Sequence, residues 1–221
     1  MGQTIVITGA NRGIGLAMAQ AWCARGDTVL ATCRQPSAAL LESGAKVIDG
    51  VDVSTADGVM NLQNALGEIP VDVLYNNAGI MCSETVDAMD FDAMRDQFEV
   101  NTLGPLRVTT ALLGNLHAGS KVGLMTSRMG SMADNTSGAK YGYRASKAAL
   151  NAVGKSLAVD LAARSIAVAI LHPGWVQTDM TRQSGNLTVE EAASDLIARM
   201  DALTLENSGT FWHSDGSVLP W

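Results

Sequence analysis

The sequence contains few cysteines, few cationic side chains and no long apolar run. Its three cysteines, Cys23, Cys33 and Cys82, are odd in number and include no close CxxC pair, which argues against a disulfide framework and a thiolate metal site. The 15 Lys and Arg residues are outnumbered by 22 Asp and Glu, and the net charge of −7 disfavours nucleic acid as a partner. No apolar run approaches the roughly 18 residues of a membrane span, and a strand pattern already begins at Gln3, where a signal peptide would lie. We therefore expect a cytoplasmic protein without a membrane anchor.

The composition is that of a globular protein with a large core. Hydrophobic residues make up 47% of the 221 residues and charged residues 17%, which excludes disorder as the main state. A chain of this length fits one domain and would be tight for two separate cores. The sequence shows no internal repeat, low-complexity tract or linker, so we expect residues 1–221 to form a single domain.

Short runs rich in Val, Ile and Leu alternate with helix-like stretches, which is typical of parallel strands joined by crossover helices. Several of these runs are apolar almost throughout, and this predicts a sheet covered by helices on both faces. The predicted fold class is therefore α/β, with one doubly wound, Rossmann-type parallel sheet of about seven strands. Strands are predicted at about residues 3–8, 28–32, 45–51, 71–75, 120–126 and 165–171, with an edge strand near 210–213, and helices at about 13–25, 55–67, 89–116, 142–163 and 189–201.

A glycine-rich turn, TGANRGIG at residues 8–15, directly follows the first strand and opens a helix. In doubly wound sheets, ligands bind at the carboxyl ends of the strands. Gly9, Gly13 and Gly15 would let the backbone approach a pyrophosphate, which the free N–H groups and positive end of the helix stabilise. The spacing is G-x-x-x-G-x-G rather than G-x-G-x-x-G, and an ordinary glycine-rich turn is the alternative.

The end of the second strand predicts a preference for NADP over NAD. An NAD site would place Asp or Glu there to bind the ribose 2′-hydroxyl, but the residues are a threonine, a cysteine and Arg34. Arg34, joined by Arg12 from the glycine turn, could instead pair with a 2′-phosphate, although both could also be solvated surface arginines. After the third strand, Asp52 and Val53 could meet the adenine ring, while an acid there is more often a helix cap or loop residue.

Tyr143 and Lys147 are four residues apart in a predicted helix, so their side chains project from one face about one turn apart. A free tyrosine, with a pKa of about 10, is a poor proton carrier at neutral pH. A neighbouring ammonium favours the phenolate, and we therefore expect Lys147 to bring the pKa of Tyr143 nearer the working pH. Taken alone, the pair could also be an ordinary helix-surface contact.

Six motifs follow one another in order along nearly the whole chain. They are the Thr-Gly-x-x-x-Gly-x-Gly turn (8–15), Asn-Asn-Ala-Gly (76–79), a lone asparagine (Asn101), a serine after the fifth strand (Ser127), Tyr-x-x-x-Lys (143–147) and Pro-Gly (173–174). In this order they resemble the short-chain dehydrogenase/reductase family. The segments YRASKAAL (143–150), HPGWVQTDM (172–180) and DGSVLPW (215–221) further resemble the C-factor-like and sniffer-like carbonyl reductases of that family.

The resemblance implies a catalytic tetrad. Tyr143 would be the general acid/base, and Lys147 would lower its pKa while binding the nicotinamide ribose. Ser127 would orient and polarise the substrate carbonyl. Asn101 would hold a water that links Lys147 to solvent for proton replenishment.

The serine of this tetrad departs from the usual spacing. Ser127 lies sixteen residues before Tyr143, a few more than in most of the family, so Ser131 and Ser137 are alternatives. Ser127 is preferred because it directly follows the predicted strand, where the family's serine sits.

The resemblance also implies that NADPH is the cofactor. Asn76 and Asn77 would tie neighbouring strand ends together, and residues 78–79 would give the backbone close access to the cofactor. The Pro-Gly turn at 173–174, with Val176 and Thr178, would approach the nicotinamide carboxamide. The predicted cofactor-binding residues are Gly9, Asn11, Arg12, Gly13, Ile14, Gly15, Arg34, Asp52, Val53, Asn77, Ala78, Gly79, Tyr143, Lys147, Pro173, Gly174, Val176 and Thr178. No metal site is predicted, because His117 and His213 offer no metal geometry.

These residues predict an NADPH-dependent carbonyl reductase or alcohol dehydrogenase that transfers hydride between nicotinamide and a small to medium apolar ketone or aldehyde. The alternative is a dinucleotide-binding signalling or scaffold protein of the same fold with little turnover, against which the retained Tyr143 and Lys147 argue. An epimerase or dehydratase is disfavoured because 221 residues leave little for an extra substrate domain. Four methionines that flank the inferred cleft would suit an apolar substrate wall: Met81, Met129, Met132 and Met180.

Two further expectations concern assembly and motion. The helix that bears Tyr143 has an edge of small residues, which predicts a homodimer or homotetramer; these residues are Ala148, Ala152, Ser156 and Ala163. The stretch 178–188 shows little apolar periodicity before a helix that Thr188 and Glu191 would cap. We expect this stretch to be a weakly anchored lid over the substrate cleft.

Overall fold

One parallel sheet runs through the computed structural model, which describes residues 2–221. Its seven strands are β1 (Thr4–Thr8), β2 (Thr28–Thr32), β3 (Lys46–Ile48), β4 (Val71–Asn76), β5 (Leu116–Met125), β6 (Ala167–His172) and β7 (Phe211–His213). All neighbouring pairs are parallel, in the order β3-β2-β1-β4-β5-β6-β7. This confirms the predicted doubly wound sheet. The strand order reverses between β1 and β4, so the carboxyl ends of these two strands form the crevice where ligands bind in such sheets.

Helices cover both faces of the sheet. They are α1 (Gly13–Arg25), α2 (Ala38–Leu41), α3 (Ala56–Leu66), α4 (Phe91–Phe98), α5 (Gly104–Ala111), α6 (Tyr141–Ala162) and α7 (Val189–Asp201). Successive strand residues point to opposite faces, so Val6 belongs to one core layer while Ile5 and Ile7 belong to the other. Both layers are buried, which explains why the strands are apolar throughout instead of alternating. Within residues 2–221, no helix is long and apolar enough to cross a membrane.

The helix predicted at 89–116 is the main error in the predicted elements. The structure divides it into α4, a π-helical turn at Glu99–Leu103, and α5, after which the chain turns and β5 begins at Leu116. Pro105 has no N–H, so it cannot donate the α-helical hydrogen bond to the carbonyl of Asn101 four residues earlier. The helix is therefore interrupted at Asn101, one of the predicted site residues.

Three smaller differences concern element ends. β5 begins earlier than predicted because a register shift lets Leu116 pair with Val71 before Lys121 pairs with Val73. β3 is shorter than the predicted run 45–51, and the short helix α2 was not predicted. The capping box at the start of α7 is confirmed: Thr188 Oγ1 accepts from the N–H of Glu191, and the Glu191 carboxylate accepts from the N–H of Thr188.

Candidate active site

The glycine turn between β1 and α1 is shaped by close backbone contacts. Gly9 has φ +66°, and a Cβ there would lie 2.7 Å from the Cα of Ala78. A Cβ on Gly15 would lie 2.5 Å from Nδ2 of Asn77, so a side chain fits at neither position. The first turn of α1 has no acidic residue and no side-chain cap, which leaves its N–H groups available to an anion. This cradle fits the pyrophosphate of a dinucleotide.

Asn77 ties the ends of β1 and β4 together at this cradle. Its Nδ2 donates to the main-chain oxygens of Thr8 (3.0 Å) and Gly9 (2.9 Å). In return, Thr8 Oγ1 accepts from the N–H groups of Asn77 (3.1 Å) and Ala78 (3.2 Å). Asn77 and Ala78 therefore lie directly beside the glycine turn, and the Asn77 side chain serves to hold the turn in place.

Arg34 and Asp52 lie on the β2–β3 side of the cradle. Arg34 is exposed, and its charge helps to keep the pKa of Asp52 low. Partial burial raises the pKa of Asp52, but hydrogen bonds from the hydroxyl (2.6 Å) and N–H (2.9 Å) of Ser54, together with Arg34, outweigh it. The Asp52 carboxylate thus stabilises its own loop, which is the alternative to adenine contact given in the sequence analysis. Val53 beside it is buried.

Arg12 and Asn11, in the glycine turn, have partners that the sequence did not predict. The Arg12 guanidinium pairs with the Asp179 carboxylate at 3.0 Å, and both side chains are more than half exposed. The side-chain oxygen of Asn11 accepts from the N–H of Ser37, and its carbonyl accepts from the Ser37 hydroxyl (2.8 Å). Arg12 therefore bridges the glycine turn to the segment after β6.

Tyr143 and Lys147 lie on one face of α6, as predicted, and both are buried. Lys147 Nζ lies 5.8 Å from the centre of the Tyr143 ring and donates to the main-chain oxygen of Met125 at 2.7 Å. Burial lowers the pKa of Lys147 to about 7, because the charged ammonium is poorly solvated there.

The lowering of the pKa of Tyr143 by Lys147 stays a prediction. Burial raises the pKa of Tyr143, and the opposing effect comes from the Ser127 hydroxyl. Burial disfavours the charged forms of both groups, the phenolate of Tyr143 and the ammonium of Lys147.

Ser127 lies closer to this pair than the two alternative serines do. It follows β5 and faces Tyr143, and its Oγ also accepts from the N–H of Met129 at 3.1 Å. The Ser131 hydroxyl instead donates to the main-chain oxygen of Trp221, and the Ser137 hydroxyl accepts from Arg144. The geometry therefore favours Ser127.

Two contacts between the loop after β5 and α6 hold Ser127 beside Tyr143. Thr126 Oγ1 donates to the side-chain oxygen of Asn151 on α6 at 2.6 Å. A Cβ on Gly130 would lie 2.7 Å from the main-chain carbon of Lys147, so the loop after Ser127 packs directly on the helix backbone. The serine and the tyrosine consequently have a fixed relative position.

Asn101 is fully buried in the π-helical turn, next to Lys147. Its Oδ1 accepts from the N–H of Ile80, while its Nδ2 donates to the oxygen of Ile80 and to the hydroxyl of Ser146 on α6. A Cβ on Gly79 would lie 3.2 Å from Asn101 Oδ1 and 3.6 Å from Lys147 Nζ, which shows how closely these groups approach. The Asn101 side chain thus joins the loop after β4 to α6, and any bound water would depend on its main-chain carbonyl.

The segment after β6 reaches over the glycine turn. A Cβ on Gly13 would lie 3.7 Å from the Thr178 methyl group, and Gly174 has φ +88°. The main-chain oxygen of Pro173 accepts from the Ser214 hydroxyl, and Val176 is buried. Ile14, in the first turn of α1, packs on the core. Of the residues predicted in this segment, Thr178 therefore lies beside the glycine turn.

The stretch 178–188 is better anchored than predicted. Its base is closed by hydrogen bonds from the N–H of Gln177 to the oxygen of Leu187 (2.9 Å) and from the N–H of Leu187 to the oxygen of Trp175 (3.1 Å). Asp179–Thr181 forms a 3-10 turn. The predicted weak anchoring is wrong, because main-chain hydrogen bonds cannot be recognised from the spacing of apolar residues in the sequence. Movement of this stretch as a lid stays a prediction.

Other polar groups near the site do not form a catalytic or metal cluster. Burial lowers the pKa of His172 to about 3, so it is neutral, and its ring packs edge-on against His213 at 4.9 Å. Among residues 2–221, no group of three or more His, Cys, Asp or Glu side chains could hold a metal ion. Sequence analysis missed Glu84 and Gln97, which are buried against the start of α6, because neither belongs to a recognisable motif.

A family model described as short chain dehydrogenase matches residues 3–187. The chain belongs to the short-chain dehydrogenase family. Members of this family are oxidoreductases that use a nicotinamide cofactor. The match confirms the resemblance drawn from the six ordered motifs, and the family's cofactor agrees with the glycine cradle.

Two curated relatives resemble this chain. The 1-hydroxy-2-glutathionyl-2-methyl-3-butene dehydrogenase of Rhodococcus sp. (strain AD45) is 42% identical over 224 residues, covering 99% of each chain. The C-signal protein of Myxococcus xanthus is 43% identical over 157 residues, covering 69% of this chain and 93% of its own length.

Two solved structures are similar over the whole fold. The carbonyl reductase Sniffer of D. melanogaster is 32% identical with a TM-score of 0.91, and 100% of both chains is covered. A carbonyl reductase from Pseudomonas aeruginosa PAO1 in complex with NADP is 34% identical with a TM-score of 0.88, again over 100% of both chains. These similarities confirm the predicted C-factor-like and sniffer-like branch.

Proposed function

We propose that this chain is an NADPH-dependent carbonyl reductase, also able to run in reverse as an alcohol dehydrogenase. The observation that carries the proposal is that the geometry brings Ser127, Tyr143 and Lys147 together in a buried cluster beside the glycine cradle. A proton donor thus lies next to a site fitted for a dinucleotide, which is what carbonyl reduction requires. The carbonyl reductases of similar structure support the same activity.

The bound cofactor would supply the hydride for the substrate carbonyl carbon. Tyr143 would donate its phenolic proton to the carbonyl oxygen as negative charge develops there. Ser127 would donate a hydrogen bond to the same oxygen, which orients the carbonyl and stabilises that charge. In the oxidising direction Tyr143 would accept the alcohol proton, because the two directions share one transition state.

Lys147 would hold the nicotinamide ribose and lower the pKa of Tyr143. A ribose hydroxyl beside Nζ would replace solvation lost on burial, so that the ammonium becomes more stable than in the bare chain. Asn101 would support the proton path through its main-chain carbonyl, which Pro105 cannot engage. The other predicted cofactor-binding residues, from Gly9 to Thr178, are proposed to contact the bound cofactor.

We expect the Arg34→Ala variant to bind NADPH about 10- to 150-fold more weakly, a loss on the order of 1.5–3 kcal/mol for a charge-assisted contact, while its NADH affinity changes little. Arg34 is exposed at the end of β2, where the chain offers no carboxylate for a ribose hydroxyl. Titration of the protein with NADPH and with NADH, followed by the fluorescence of the bound nicotinamide, measures the two affinities. Arg95→Ala on α4 is the control. Equal weakening of NADPH and NADH, or equally tight binding of both by the wild type, would show the assignment to be wrong.

The substrate is proposed to be a small to medium apolar ketone or aldehyde. Met132 after Ser127, Trp175 after the Pro-Gly turn, and Met180 expose 76%, 59% and 41% of their surface in the loops around the cluster. Apolar side chains that remain exposed on such loops suit an adaptable substrate wall. Met81 and Met129 are half-buried in the same loops.

A homodimer or homotetramer is proposed from α6, on which Ala152, Ser156 and Val159 are exposed along the helix. Small residues allow close packing of a second helix. Light scattering at micromolar concentration should therefore give a multiple of the 23.1 kDa chain mass. A mass near that of one chain would contradict the assembly. The cytoplasmic location and the single-domain organisation stay predictions.

A second candidate function is signalling through the folded protein with little turnover, which the similarity to the C-signal protein favours. The two candidates differ in a direct assay. The purified chain is mixed with NADPH and a panel of apolar ketones and aldehydes, and with NADP and the matching alcohols. Turnover of at least one pair supports the reductase, whereas cofactor binding without turnover of any pair would favour the second candidate.

A further inference from the structure

Glu84 is a buried carboxylate that none of the roles above uses. It lies in the loop after β4, and only 2% of its surface is exposed. Its Oε1 accepts from Nε2 of Gln97 on α4 at 2.5 Å, and its Oε2 accepts from the N–H of Gly142 on α6 at 3.1 Å. Its main-chain oxygen accepts from the N–H of Lys140 at 2.7 Å. One residue thus contacts α4 and the start of α6.

The orientation of the Gln97 amide is fixed by its hydrogen bonds. Gln97 Oε1 accepts from the N–H of Cys82 at 2.9 Å, so its Nε2 must be the atom that faces Glu84. Both Glu84 oxygens therefore face donors, Gln97 Nε2 and the Gly142 N–H. The Glu84 carboxyl group thus accepts one hydrogen bond at each of its oxygens.

The side chain of Glu84 is held by the first turn of α6 and not by an ion pair. Among residues 2–221, no Lys, Arg or His forms an ion pair with Glu84. Gly142 is in the first turn of the 22-residue helix α6, whose amino end attracts negative charge. A Cβ on Gly142 would lie 2.5 Å from Gln97 Nε2, so the helix start packs directly on the Gln97–Glu84 pair.

The segment before α6 depends on the same anchor. Gly138, Ala139 and Lys140 all have positive φ, near +62°, +52° and +52°, which is strained for the last two. Glu84 holds this segment through the N–H of Lys140, and Arg144 Nε donates to the oxygens of Gly138 and Ala139 from the other side. Since Tyr143 is the next residue after Gly142, strain released here would displace its phenol.

We propose that Glu84 is a positioning residue that fixes Tyr143 relative to the loop after β4, where residues 77–79 approach the cradle. The inference rests on the proposed function, because it concerns the alignment of the Tyr143 proton with the hydride path. Gln97 orients Glu84 and closes the network by donating also to the oxygen of Ala93. A small displacement of a catalytic group lowers turnover without weakening cofactor binding.

The Glu84→Gln variant tests this. The new amide must turn its N–H groups toward either Gln97 Nε2 or the Gly142 N–H, so one hydrogen bond becomes a contact between two donors. We expect kcat to fall about tenfold or more while the KM and Kd for NADPH change less than about twofold. Hydrogen exchange at the Gly142 amide should become faster. Glu68→Gln, an exposed substitution after α3, is the control and should match the wild type.

The double variant Glu84→Gln/Gln97→Glu exchanges the donors and acceptors. Residue 97 as Glu would accept from the Cys82 N–H and from the new amide at 84, whose oxygen would accept from the Gly142 N–H. The bond from residue 97 to the oxygen of Ala93 is lost, and a carboxylate oxygen then faces that carbonyl, which keeps the recovery below the wild-type level. We therefore expect the double variant to regain most of the turnover and the slow exchange at Gly142, including in the case where Glu84→Gln alone does not fold.

Three results would overturn the proposal: an unchanged kcat in Glu84→Gln, equal loss of NADPH affinity and turnover, or a double variant no better than the single one. Failure of the proposed function is a separate result. In that case the wild type itself turns over no carbonyl, and exchange at Gly142 still decides whether Glu84 anchors α6.

Discussion

Replacement of Tyr143 by Phe is expected to lower carbonyl-reducing turnover by about 10²-fold or more while leaving NADPH affinity nearly unchanged. The substitution removes one oxygen atom from a buried side chain on α6 and keeps the ring that packs there. The Ser127 hydroxyl would still face the ring, but no group would remain to donate the proton. Initial rates at saturating NADPH, together with a cofactor titration, measure the two effects separately.

The control for this variant is Tyr141→Phe. Tyr141 lies at the start of the same helix and is 40% exposed, so loss of its hydroxyl should leave turnover close to that of the wild type. If the Tyr143→Phe protein kept more than about a tenth of wild-type turnover, Tyr143 would not be the general acid.

Replacement of Lys147 by Met is expected to abolish turnover and weaken NADPH binding, yet to stabilise the bare protein at neutral pH. Burial lowers the pKa of Lys147 from 10.5 to about 7. Between these values the unfolded chain binds a proton that the folded chain has lost, so the wild type becomes more stable as pH rises from about 7 to about 10.5. Methionine fills a similar volume and has no charge to desolvate. Even with the hydrogen bond to Met125 lost, we expect the free energy of unfolding at pH 7 to rise by an amount on the order of 1–3 kcal/mol.

Urea unfolding of the wild type and the Lys147→Met variant at several pH values between 7 and 10 checks this. The stability difference should shrink as pH rises, because deprotonation in the unfolded state removes the wild-type penalty. Lys155→Met on the exposed side of α6 is the control and should show no such trend. A Lys147→Met protein less stable than the wild type at pH 7, with the same pH dependence, would mean that Lys147 is not destabilised by burial.

The sheet was predictable from the sequence because its strands are short, apolar and buried on both faces. Ile5, Val6 and Ile7 have 0% exposure although they face opposite sides, and this produces an unbroken apolar run. The glycine turn and the Tyr143–Lys147 pair could be found because they depend on local spacing. Each needs only neighbouring residues on one turn or one helix face.

The remaining features depend on contacts between distant residues. The pairing of Arg12 with Asp179 joins positions 167 residues apart, and the pKa of Tyr143 depends on burial that no local pattern reveals. The interruption of the helix near Asn101 had a local signal in Pro105, but the apolar periodicity on either side concealed it. Glu84 has no motif, and its importance is visible only once α4 and α6 are packed around it.

The most direct test of the proposed reaction is hydride transfer itself. NADPH carrying deuterium at the transferable position of the nicotinamide is incubated with the purified chain and the apolar carbonyl that it reduces fastest, and the alcohol is analysed by mass spectrometry. We predict one deuterium on the carbinol carbon for each NADPH consumed, with product formation lost in Tyr143→Phe. Consumption of NADPH without deuterated alcohol, or no consumption with any carbonyl, would contradict the proposed function.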